Sequence, residues 1–195
     1  MLYELLWLSN GLPIGPADTR IPTHSIFDHN YATATIFNWV LQSDKVEGLL
    51  MGIDVMETQR FISGSRKIRD LWISSYIVSA LTWYVIIDLI EKLGPDIVVL
   101  PTLRMNLFYL HWLNSLIKEK VEELEIRGNV NARKLKKVVN KLLELIKNYI
   151  FFSEKLLKMY KNLGIPPYAI VPGRITLILP PENYLKEVFN ISNIE

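Results

Sequence analysis

The chain has 195 residues, half of them hydrophobic, no cysteine and a formal charge of only +2. That length suits one large domain or a domain with an appendage, and that much apolar content fills a sizeable core, which excludes a disordered chain. The missing thiols exclude a disulfide framework and a thiolate metal centre and suit a reducing cytoplasm. The near-balanced charge means that any anion binding must come from local clusters.

Residues 2–9 read as a short packed helix; without a basic leader or a small-residue cleavage site, they do not resemble a signal peptide. Residues 10–24 carry three prolines and two glycines and predict a loop. A helix follows from Ser25, where Asp28 three residues on forms a weak capping signal. The apolar run 47–55 reads as a buried strand. A long helix is expected from about Ser65 to Leu93, stopped by Gly94-Pro95. Residues 71–90 within it approach the length of a membrane span, but the uncharged run ends at Asp88, so a buried helix covered on most sides is expected.

The β-branched run 96–101 predicts a second strand. A helix over 107–125 is broken by "RGNVNARK", after which Leu135, Val138, Val139, Leu142, Leu143 and Ile146 share one side of an amphipathic segment and Arg133, Lys134, Lys136, Lys137 and Lys141 the other. That basic side reads first as solvated surface, and secondly, with Arg127, as a phosphate-facing stripe. A further helix runs to about Leu163, a proline-rich turn follows, 175–180 predicts a third strand, and "PENYLKEVF" starts a last helix. The order is α+β, with helices on one face of a small sheet that looks incomplete.

Catalytic machinery is sparse. His24 and His29 flank Asp28 without a second ligand cluster, and His111 lacks a neighbouring acid, so each reads as a structural histidine. No phosphate-binding glycine loop, nucleophile elbow or paired-aspartate run is present, and Asp54 is the only acid placed like a metal ligand. The stretch "RFISGSRKIRDLW" sets Arg66, Lys67 and Arg69 at an expected helix start, where the backbone dipole is already positive. Asp70 offers intrahelical pairing to Arg66 and Lys67; otherwise the cations and free amides await an anion such as phosphate.

Three blocks, "GPADTRIPTHSIFDHNYATA", "GIDVMETQRFISGSRKIRDLWISSY" and "LGPDIVVLPTLRMNLFYLHWL", in that order and spacing, resemble the large signature subunit of type III-B (Cmr-type) CRISPR effector complexes. The resemblance covers residues 15–113, and "VPGRITLILPPEN" looks like the next strand of the same domain. It implies a cyclase-like palm with a ferredoxin-like core, covering 47–195 with a helical insertion at 114–163, preceded over 1–46 by the tail of a nuclease region. In that family two palms face each other to hold ATP. The second palm carries a Gly-Gly-Asp-Asp turn and metal ions and makes cyclic oligoadenylates when guide RNA pairs with target RNA. This chain carries neither that turn nor a His-Asp nuclease dyad.

The resemblance therefore implies a split or truncated large subunit in antiviral defence, inactive alone, cytoplasmic and without a membrane. Its expected partners are the remaining part of the large subunit, other Cmr-type subunits, guide RNA and target RNA. It implies half of an ATP site, with a divalent metal only at the interface with the partner chain, around Asp54, Gln59, Ser63, Ser65, Arg66 and Lys67. The alternative is an architectural scaffold whose Arg127, Arg133, Lys134, Lys137 and Lys141 meet RNA or another subunit. The family has glycine after the first strand, where this chain has Val55-Met56-Glu57; Met56 and Glu57 would crowd and repel a phosphate.

Overall fold

The computed structural model describes residues 3, 4, 7, 10–18, 20, 23–43, 46–104, 106–127, 133, 134, 136, 137, 140, 141, 144 and 154–191. The expected apolar side of the 135–146 segment lies outside them, as do most residues of the expected helix 2–9, of which Tyr3, Glu4 and Trp7 are helical. The chain forms two compact units, Met1–Pro13 with Arg104–Ile170, and Ile14–Leu103 with Val171–Glu195. Both units are assembled from segments distant in sequence.

In the sheet-bearing unit, helix α1 (Ile26–Ser43) leads to strand β1 (Leu49–Asp54), helix α2 (Thr58–Ser63), helix α3 (Ile68–Leu93), a 3-10 turn (Pro95–Ile97) and strand β2 (Val98–Leu100). After the other unit come strand β3 (Arg174–Leu179) and helix α6 (Glu182–Phe189). The sheet order is β1-β3-β2, and β3 runs antiparallel to both neighbours. The outer strands are therefore parallel to one another, joined across the sheet by α3, with β3 between them.

The start of α1 is a reciprocal capping box: the Ser25 amide donates to Asp28 Oδ2 at 3.1 Å, and the Asp28 amide donates to Ser25 Oγ at 3.3 Å. Tyr31 Oη from α1 donates to the Pro95 carbonyl, and Thr35 Oγ1 donates to the Asp96 carbonyl at 2.6 Å. These bonds satisfy backbone acceptors of the turn leading into β2. At the far end of α3, Gly94 takes φ 94°, a region open to glycine, and its amide caps the Ile90 carbonyl at 2.9 Å.

Alternation along β3 decides which face is the core: Ile175, Leu177 and Leu179 are buried while Arg174, Thr176 and Ile178 point the other way. Against this unit's core, α3 contributes Val78, Ser79, Thr82, Trp83, Ile86 and Ile90. Ser79 Oγ contacts the Val171 backbone at both its carbonyl and its amide, satisfying a polar pair that burial would otherwise leave costly. Thr82 Oγ1 bonds back to the Val78 carbonyl at 2.7 Å, so its hydroxyl is also satisfied inside the core.

Two expectations are corrected here. The long helix is buried on one side only: Leu81 and Val85 are exposed, as are Ile68 at 88% and Tyr84 at 78%. Composition alone reads such a helix as enclosed because both faces are apolar. Strand β1 is likewise an exposed edge strand rather than a buried one, with Leu50 78% exposed, because the described residues pair it only on its β3 side. Boundaries also move: the long helix begins at Ile68 rather than near Ser65, and a short helix that was not expected, α2, precedes it across Gly64-Ser65-Arg66-Lys67.

The other unit contains α4 (Leu107–Ile126) and α5 (Glu154–Leu163). Asn106 caps α4 by accepting from the Phe108 and Tyr109 amides at 3.0 and 3.3 Å. A buried ion pair ties Glu4 to Arg104 through two bonds, at 2.5 and 3.0 Å. His111 Nδ1 meets Tyr160 Oη at 3.0 Å, joining α4 to α5, and burial, with Lys118 assisting, lowers the imidazole pKa. His111 is thus structural, as expected.

Removing one side of the Glu4–Arg104 pair leaves a buried charge uncompensated, so Arg104→Ala is expected to cost about 3–5 kcal/mol in denaturant unfolding. A Cβ at Gly173 would lie 2.8 Å from Thr58 Cγ2 and 3.5 Å from Val78 Cγ1. Gly173→Ala is therefore expected to destabilise by about 1–3 kcal/mol, seen as a lower melting temperature than the native chain.

Candidate functional site

Strand β1 ends at Asp54, and the backbone there is held by the Val55 amide donating to the Gly173 carbonyl at 2.7 Å. Across the ladder Asp54 faces Arg174, whose guanidinium donates to Asp54 Oδ2 at 2.8 Å. The pairing raises the Arg174 pKa above its ordinary value, although both side chains are exposed and the contribution to stability is small. The one carboxylate placed like a metal ligand thus has a guanidinium counter-ion. Arg174 and Gly173 are site residues that sequence reasoning missed, because the strand register that sets Asp54 opposite Arg174 spans 120 positions.

The loop after β1 turns at Glu57, which takes φ 58° and ψ 20° as the N-cap of α2. A left-handed conformation at a residue with a Cβ is strained, and it is the conformation glycine adopts freely. Glu57 also pairs with Arg60 at 3.6 Å, and Met56 is 84% exposed. Beside this loop lies a groove of about 420 Å³, lined by Val55–Thr58, Arg60 and Phe61 from one side and Ile77, Val78 and Leu81 of α3 from the other. Its lining is mainly apolar and includes none of the six residues expected around ATP.

Asp54 ends β1, and the other five lie on α2 and in the turn before α3. Gln59 and Ser63 are exposed on α2, and the Ser63 hydroxyl donates to the Arg60 carbonyl at 3.2 Å. Ser65 Oγ lies 2.9 Å from Ser74 Oγ, so that hydroxyl pins the turn between α2 and α3. Arg66 and Lys67 are exposed just before α3, whose N-cap, Lys67, makes no side-chain capping bond. The expected pairing of Asp70 with these two cations is not formed; Asp70 instead lies 3.8 Å from Arg69. Its direction follows from helix geometry, since Arg66 and Lys67 precede the first turn rather than occupying it. The structure thus brings Ser65, Arg66 and Lys67 together, and separately Asp54 with Arg174.

Among the described residues no three His, Asp or Glu side chains converge as metal ligands. For a nucleotide the fit is partial: Arg66 and Lys67 suit a polyphosphate, whereas Glu57 and the apolar groove do not. His24 and His29 stack with ring centroids 5.8 Å apart on the surface, and His24 Nδ1 lies 3.0 Å from Thr23 Oγ1.

The basic residues expected to meet RNA or another subunit lie in the other unit. Arg127 pairs with Glu123 at 2.7 Å, and the neighbouring Lys136 with Glu125 at 3.0 Å. Arg133, Lys134, Lys137 and Lys141 are helical; the side chains of Arg133, Lys134, Lys137 and Lys141 are exposed and form no ion pair among the described residues.

Comparison with known proteins places this geometry in context. The family described as CRISPR-associated protein Cmr2, N-terminal, matches residues 50–193. The CRISPR system CMR subunit Cmr2 of Saccharolobus solfataricus is 48% identical over 182 residues, covering 92% of this chain and 16% of that protein. The Pyrococcus furiosus Cmr2 subunit is 31% identical over 148 residues, 75% of this chain and 16% of that one. A chain of the type III-B Cmr-beta complex in its apo state superposes with a TM-score of 0.72 at 47% identity, over 94% of this chain and 17% of that chain. A chain of Cmr-beta bound to cognate target RNA gives 0.71 at 44% identity, over 97% and 19%. The chain thus spans about a sixth of the length of these curated relatives. It belongs to the Cmr2 N-terminal family and corresponds to a fragment of the large subunit of type III-B Cmr complexes.

Proposed function

We propose that this chain supplies the first palm-like half of the large subunit in a type III-B, RNA-guided interference complex acting in antiviral defence, and that its role there is to dock. The observation that carries this reading is the sheet order β1-β3-β2, with parallel outer strands joined by α3. That arrangement has the strand order of a split βαβ unit, which supports a ferredoxin-like, palm-like reading. The open edge of β1 and the exposed apolar side of α3 are surfaces of the kind that a further segment covers. The remaining part of the large subunit is the partner that suits them, with other Cmr-type subunits, guide RNA and target RNA around it. The compartment is the cytoplasm.

Helix α3 is long and apolar enough to cross a membrane. Its buried Ser79 and Thr82, each satisfied within the sheet-bearing unit, favour packing in protein instead.

A second reading keeps an edge of an ATP site, with the metal supplied at the partner interface. It rests on Arg66 and Lys67, exposed before the uncapped start of a 26-residue helix. The left-handed Glu57 loop supports a pocket whose entrance is closed by a side chain rather than by the backbone path.

The docking reading predicts that Leu81→Glu with Tyr84→Lys leaves the melting temperature of the isolated chain within a few degrees, because both side chains are exposed. The same pair is expected to remove this chain from the purified native complex, read by subunit stoichiometry. Retention at native stoichiometry would refute docking through α3.

The nucleotide reading predicts that Arg66→Ala with Lys67→Ala lowers ATP affinity of the assembled complex at least tenfold, since charge-assisted contacts contribute roughly 1.5–3 kcal/mol each. Subunit content should stay unchanged. Glu57→Gly is expected to stabilise the chain by about 1 kcal/mol through the relieved left-handed strain, and to strengthen ATP binding in the complex. Stabilisation without any gain in ATP binding would leave docking as the whole function.

A further inference from the structure

The 35 residues from Arg127 to Lys161 hold ten basic and two acidic side chains, a net of +8 in a chain whose total is +2. The remainder of the protein is therefore net acidic, and its basic character is concentrated in this one stretch. Helix α5 closes the stretch and is strongly amphipathic. Leu156, Leu157, Met159 and Tyr160 are half-buried on one side, and Lys155, Lys158 and Lys161 are all exposed on the other. None of the three lysines forms an ion pair among the described residues, unlike Arg127 and Lys136. At helical spacing they cover about a third of the circumference over roughly 9 Å of axis, an arc that also holds the exposed Glu154 and so keeps a net positive charge. That length matches two or three successive phosphates of a stacked strand.

We infer that Lys155, Lys158 and Lys161 of α5 form a rail for the sugar-phosphate backbone of RNA, read by charge and without regard to base sequence. Lysine ammonium groups act as point charges without the planar fork that fixes a bidentate partner, which suits a backbone held in more than one register. The face presents no aromatic side chain for base stacking, so binding through it is electrostatic. The inference rests on the proposed placement in an RNA-guided complex and adds a surface that the Arg127–Lys141 group does not include.

The test uses the full chain, a 20-nucleotide oligouridine and a mixed-sequence RNA of the same length. Affinities are measured by fluorescence anisotropy between 50 and 200 mM salt. The combined substitution Lys155→Gln, Lys158→Gln and Lys161→Gln should flatten the slope of log K against log salt by about 2, given about 0.7 per phosphate on a single strand. Both RNAs should lose affinity equally, with the circular dichroism unchanged. A second variant, Arg133→Gln with Lys134→Gln, Lys137→Gln and Lys141→Gln, separates the two readings. If that variant loses RNA and the α5 variant keeps the native slope, RNA binding by this chain stands and the α5 rail is overturned. If the native chain binds neither RNA, both are overturned. If polyglutamate of equal charge displaces the RNA as well as RNA itself does, the face fits an acidic protein and the inference fails.

Discussion

Everything in the sheet-bearing unit depends on β3. The outer strands β1 and β2 have no bonds to each other and are held together only because β3 lies between them and pairs antiparallel with both. Its inward side chains Ile175, Leu177 and Leu179 are also the centre of that unit's core. Yet β3 enters the chain after the whole 104–170 segment of the other unit has intervened. Closing so long a loop before any ladder bond forms is entropically costly and slow, so the unit has an inherently non-local fold. The Val55 amide to Gly173 carbonyl bond and the Ser79 contacts to Val171 show how the entry to β3 is fixed, by backbone and hydroxyl groups rather than by charge.

The same dependence sets the candidate site. Asp54 has a counter-ion because β3 places Arg174 opposite it, and the loop after β1 is narrow because Gly173 lets Thr58 approach. Close packing there leaves little freedom for the β1–α2 turn, and the turn is completed by a left-handed Glu57. A charged side chain in a glycine-like conformation costs free energy locally, and the surrounding packing holds it in place. The groove beside it is consequently apolar on its α3 side and carries one acidic and one basic side chain, already paired, at its mouth.

Helix α3 and the basic stretch are two solutions to different surface problems. In α3 the apolar character continues around the helix, so packing on the core satisfies one face and leaves another in need of cover. Around α5 the apolar face is half-buried and the opposing face carries three lysines and one acid, Glu154, a net cationic surface that stays solvated and open to anions. Hydrophobic surface and basic surface thus occur on separate compact units, each described by its own core.

The sequence by itself determined the α+β class, the three described strands and the other five described helices in order and the stop at Gly94, though not the short helix α2, because periodicity, capping residues and β-branched runs act over a few neighbours. Its three ordered blocks also pointed to the family that the comparisons establish. Local pattern could not tell a one-sided helix from an enclosed one, since apolar residues line both faces of α3 and only the position of the sheet selects the buried one. Nor could it place Arg174 against Asp54, or turn β1 into an edge, because strand order and register are set by pairings between segments far apart in the chain. Likewise the freedom of Arg66 and Lys67 from Asp70 followed from where the helix begins, at Ile68 rather than Ser65. Interactions between near neighbours are written in the order of residues; those between distant segments exist only once the chain has closed upon itself.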